Sequence, residues 1–65
     1  MTDKQKVLEK TYRFRFKIKS AEEWTRLIVN TFPEDADLQG IKEMYAMRLE
    51  RLYDCPVECV EVEEI

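Results

Sequence analysis

The sequence predicts a small α+β domain of order β-α-α-β, with two helices packed on one face of an antiparallel two-stranded sheet. Pairing of two chains would extend that sheet to four strands. Three observations carry the prediction. Residues 11–19 alternate aromatic or branched side chains with cations. Two stretches between them and the C-terminus show helical spacing, each closed by proline. The last residues, Pro56 to Ile65, read as a strand whose charges are all acidic.

In the first strand, about Leu8 to Lys19, Tyr12, Phe14, Phe16 and Ile18 share one side of an extended chain. Arg13, Arg15, Lys17 and Lys19 share the other, and such alternation marks a strand with one buried face. Ser20-Ala-Glu-Glu23 then reads as a capping box, which opens a helix by satisfying its free N–H groups. Trp24, Leu27, Ile28, Thr31 and Phe32 follow at helical spacing, with Glu22 and Arg26 as an exposed i,i+4 pair, and Pro33 ends the element. The acids of Pro33-Glu-Asp-Ala-Asp37 suit the N-terminus of a second helix, from about Ala36 to Tyr53. Its apolar stripe is Leu38, Ile41, Tyr45, Leu49 and Leu52, with Met44 and Tyr53 at the edges. Gly40 is a weak point worth about 1 kcal/mol against Ala. Cys55-Pro56 closes this helix. In the closing strand Val60 and Val62 fall on one face, and Val57, Cys59, Glu61 and Glu63 on the other.

Charge places the two strands together. Residues 1–19 hold seven Lys/Arg against two Asp/Glu, whereas residues 54–65 hold five acids and no cation. A helical hairpin brings the chain back antiparallel, so Glu61 and Glu63 are expected opposite the Arg13/Arg15/Lys17 row.

With 65 residues, the chain is read as one domain with residues 1–7 a flexible lead-in. So small a core contributes only about 3–5 kcal/mol, which favours self-association. No apolar run approaches the ~20 residues of a membrane span. Met1 is followed by polar Thr-Asp-Lys-Gln-Lys, and two cysteines form no disulfide framework, so the expected compartment is the cytoplasm.

Equipment for chemistry is sparse. There is no histidine and only one glycine, so the commonest general base and a phosphate-cradling loop are missing. Ser20 is assigned to capping. Cys55 and Cys59 are four residues apart, roughly 13 Å in extended chain; they are read as packing residues, with neither disulfide nor metal. Asp35-Ala-Asp37-Leu-Gln-Gly40 opens like a calcium loop, but the required twelfth-position Glu is Ala46. No catalytic residue, metal or cofactor is expected.

Two functions follow. The first is a non-enzymatic interaction module, a small regulator or inhibitor of the phage or plasmid type. It would form a homodimer and bind a protein partner, with Tyr12, Trp24 and Tyr53 as amphipathic anchors. The second is a nucleic-acid binder or transcriptional regulator using Arg13, Arg15, Lys17 and Lys19, with Lys10 and Arg26 beside them. In element order, a basic alternating strand followed by two helices over about residues 11–53 resembles the ribbon-helix-helix repressors. That resemblance implies paired strands from two chains, with Arg13, Arg15 and Lys17 directed at bases.

Overall fold

A computed structural model describes residues 8–65, and it turns the first predicted helix into a strand. The chain runs β1 (Glu9–Ile18), β2 (Trp24–Pro33), α1 (Leu38–Tyr53) and β3 (Val57–Glu64). The three strands form one antiparallel sheet in the order β2-β1-β3. The expected β-α-α-β fold, with two helices on two strands, is therefore corrected to β-β-α-β. The lead-in assigned to residues 1–7 lies outside the described residues.

The reason lies in β2's own residues. Trp24, Ile28 and Phe32 recur every four positions, a spacing that lines one side of a helix and equally one face of a strand. Thr25, Ile28, Val29 and Thr31 are β-branched, and Trp24 and Phe32 are aromatic, all favouring a pleated surface. The capping box does not form. Ser20 Oγ donates instead to the Glu22 carbonyl at 2.9 Å, bracing the hairpin loop, and Glu23 pairs with Lys17 at 3.6 Å. Arg26 ignores Glu22 and donates to the Tyr53 hydroxyl at 2.6 Å. Pro33 ends a strand, not a helix, at a position that suits a residue without an N–H.

β1 behaves as its alternation predicts. Phe14, Phe16 and Ile18 are fully buried and, with Leu49 of α1, form the core. Tyr45 stands edge-on to Phe14 and Phe16, with ring centroids 5.4 and 6.2 Å away. On the other side Arg13, Arg15 and Lys17 lie opposite Glu63, Glu61 and Glu58.

β3 departs from a single alternation. Arg15 pairs with Glu61 but Phe16 pairs with Cys59, so Val60 is an extra residue in the ladder. This bulge resets the parity. Val57, Cys59 and Val62 all reach the core, rather than dividing between faces, while Val60 stays exposed.

α1 starts two residues later than predicted. Asp37 caps it, its Oδ1 accepting from the Gly40 N–H at 3.2 Å. A β-carbon at Gly40 would sit 2.7 Å from Asp37 Oδ2, so the glycine leaves room for that carboxylate. Leu38, Ile41, Tyr45 and Leu49 pack inward as expected, joined by Ala46 and Tyr53. Leu52 does not: it is 67% exposed, and Tyr53 takes its place. The helix ends where Asp54 adopts the left-handed conformation (φ 55°, ψ 45°) and its N–H returns to the Glu50 carbonyl at 2.7 Å. Glu50 Oε2 then accepts from the Val57 N–H at 3.1 Å, tying the helix to the start of β3.

Two substitutions test these termini in urea unfolding. Asp37→Ala should lower stability by about 1 kcal/mol through loss of the cap. Asp54→Gly should raise it by up to about 1 kcal/mol, because glycine enters the left-handed region without a β-carbon clash.

Candidate functional site

The basic row lies on the sheet face opposite α1, on the central strand. A central strand has neighbours on both edges, so its outward cations meet side chains from both sides. Arg15 and Lys19 pair with Glu61 and Glu58 of β3 at 3.3 and 2.9 Å, whereas Lys10, beside Phe32 on the α1 side of the sheet, pairs with Glu64 at 3.8 Å. Arg13 Nη2 also hydrogen-bonds Glu63 Oε1, and Lys17 pairs with Glu23 of the hairpin loop. Every cation of the row thus has a carboxylate within ion-pair distance. The β2 side of the same face carries Thr25, Leu27, Val29 and Thr31 beside Lys17, Arg15, Arg13 and Thr11.

The hydrogen bond between Lys19 and Glu58, and then their mutual charge, hold Glu58 below the ordinary carboxylate value and Lys19 above the ordinary amine value.

The repressor-like arrangement is not realised. A strand, not a helix, follows the basic strand, and both edges of β1 are occupied within the chain. No edge of β1 is left for a second copy's β1.

The three aromatic anchors separate. Trp24 and Tyr53 meet edge to face, with centroids 4.8 Å apart. They close one end of the layer between β2 and the helix C-terminus, and Trp24 keeps 39% of its surface exposed. Tyr12 lies beside Phe14, 6.4 Å between centroids. It is six residues along β1 from Ile18, the partner of Trp24, hence about 20 Å from the other two. They are not one patch.

A surface that the sequence reading passed over lies on the outer side of α1. Gly40, Glu43, Met44, Met47, Arg48 and Arg51 line a shallow depression of about 340 Å³. Met47 is 60% exposed, and Met44 and Leu52 are exposed nearby. Among the described residues, neither Arg48 nor Arg51 has a carboxylate within ion-pair distance. The signal was in the sequence: Met44, Met47, Arg48 and Arg51 recur at i, i+3, i+4 and i+7, a second stripe beside the core-facing one.

Cys55 and Cys59 are free, half-buried thiols packed on the core. Among the described residues no cluster of acids and cysteines could hold a metal, and no helix is long and apolar enough to cross a membrane. Comparison with protein-family models, with curated proteins and with solved structures finds no match.

The Lys19–Glu58 pair makes a pH prediction of definite sign. Glu58 has a lowered value, so its contribution is present above the unfolded-chain value and is lost as pH falls through the folded one. Lys19 has a raised value, so its contribution is present below the unfolded-chain value and lost as pH rises through the folded one. The stability gap between wild type and Glu58→Gln should be level around neutral pH and shrink at both extremes. Urea midpoints across pH measure it, and 1 M salt should narrow it throughout.

Proposed function

We propose that this chain is a non-enzymatic, cytoplasmic interaction module that works as a homodimer and binds a protein partner. The observation that supports partner binding most directly is the outer stripe of α1. Methionine is flexible and polarizable, and it adapts to partner surfaces of varied shape. Two exposed methionines beside Arg48 and Arg51, which have no ion-pair carboxylate among the described residues, suit a partner segment that presents an apolar side chain next to acids. The free thiols of Cys55 and Cys59 suit a reducing compartment.

Trp24 and Tyr53, read as amphipathic anchors, offer a partner only their outward surfaces. Their facing surfaces are used against each other, so they hold the helix end over the sheet. Tyr12 stands apart from the helix stripe.

A second reading, nucleic-acid binding, rests on Arg13, Arg15, Lys17 and Lys19 sharing the face that α1 leaves open. Phosphates would have to displace Glu61, Glu63, Glu58 and Glu23 from these cations, which offsets much of the electrostatic gain. Binding through the row would show a steep salt dependence that Arg13→Ala/Arg15→Ala flattens. No binding to generic duplex DNA or RNA at low salt would end this reading.

Met44→Asp/Met47→Asp should leave the circular dichroism spectrum unchanged, because both side chains are exposed. The same change should abolish recovery of a stoichiometric partner in pull-downs from the source cell, while Arg13→Gln/Arg15→Gln should not. Recovery that survives the methionine changes would remove the helix stripe from the reading.

A further inference from the structure

The two edges of the sheet are built differently. β3 carries Glu58, Glu61, Glu63 and Glu64, a bulge at Val60, and a first N–H already held by Glu50. A second copy's β3 placed there would meet like charge and a broken ladder, a common guard for an edge strand. β2 has no such guard. Its ten residues run in unbroken register against β1, Arg26 is their only charge, and proline comes last.

The register shows which backbone groups β2 turns outward. Glu34 donates its N–H to the Leu8 carbonyl, which makes the even-numbered residues of β2 the hydrogen-bonded partners of β1, because such pairs alternate. Thr25, Leu27, Val29 and Thr31 therefore direct N–H and C=O to the free edge. Among the described residues, only Thr31's outward N–H has an acceptor, Asn30 Oδ1 at 2.9 Å.

We propose that a second copy of this chain adds to the β2 edge in antiparallel sense, with Ile28 on the two-fold axis. The result is a six-stranded sheet with both helices on one face. Outward residues must meet outward residues, so an odd position pairs with an odd one. Centring on Ile28 sets Leu27 opposite the second copy's Val29, and Thr25 opposite Thr31, on the open face. On the helix face it sets Ile28 opposite Ile28, Trp24 opposite Phe32 and Arg26 opposite Asn30. Apolar meets apolar and polar meets polar at every position. Moving the axis to Leu27 sets Arg26 against Ile28 and Trp24 against Asn30; moving it to Val29 sets Arg26 against Phe32 and Thr25 against Pro33, which has no N–H. As the copies join, Asn30 releases the Thr31 N–H and its Oδ1 accepts from the facing Arg26.

This pairing rests on the homodimer reading above, and the test separates the two. Sedimentation equilibrium should find wild type dimeric, with slow amide exchange at Leu27 and Val29 that quickens on dilution. Leu27→Lys/Val29→Lys puts like charges directly opposite and should weaken the dimer at least about a hundredfold. Leu27→Lys/Val29→Glu sets opposite charges across the same pairs and should stay dimeric. A monomeric wild type overturns both readings, including the case where those amides slow only when a foreign extended peptide is added. A Lys/Lys variant as dimeric as wild type overturns the edge but leaves dimerisation standing. A Lys/Glu variant as weak as Lys/Lys overturns the register. If Lys/Lys does not fold, wild-type exchange decides: fast exchange at Leu27 and Val29 in a dimer overturns the edge.

Discussion

The burial of Phe14, Phe16 and Ile18 on one side of β1 is the constraint on which the other elements depend. Burying each of these side chains contributes about 1.5–3 kcal/mol. A half-exposed ion pair such as Arg15–Glu61 contributes about 0–1 kcal/mol. The apolar side of β1 therefore holds the fold, and the charged side orients it. A strand so loaded needs partners on both edges and a cover on one face. β2, β3 and α1 supply these, with Leu49, Tyr45 and Phe32 closing around the three buried residues.

The charged side sorts the neighbours. β3 supplies a carboxylate to each of Arg13, Arg15 and Lys19, whereas β2 sets Thr25, Leu27, Val29 and Thr31 against the same face. Like-charged alternatives are thereby penalised, and the acidic strand is directed to one edge of β1. A row of cations that would otherwise invite phosphate becomes a ladder within one sheet. The surface of the described residues is consequently uneven: acidic along β3, nearly uncharged along β2, and apolar beside Arg48 and Arg51 on the outside of α1.

Two local devices reconcile α1 and β3 with that centre. The bulge at Val60 lets Val57, Cys59 and Val62 all face the core while Glu58, Glu61 and Glu63 all face the cations, which uninterrupted alternation forbids. The left-handed turn at Asp54 and the Glu50–Val57 hydrogen bond reverse the chain in a few residues, so that β3 begins where α1 ends.

Much of this was legible in the sequence, because some patterns permit a single physical reading. Four in–out alternations in β1, the helical stripe from Leu38 to Leu49 and the opposed terminal charges each specify an element or a neighbour without reference to the rest. Residues 24–33 permitted two readings, since Trp24, Ile28 and Phe32 line one side of either a helix or a strand. Only the tertiary structure chose between them: the free edge of β1 takes up a β-branched segment joined to it by a short loop. The same holds for the outer stripe of α1 and the edge of β2. Met47 and Arg51 could be placed on a helix from sequence alone, but whether they faced the core depended on which stripe the sheet covered. An open edge at β2 exists only because the acidic strand was drawn to the other side of β1.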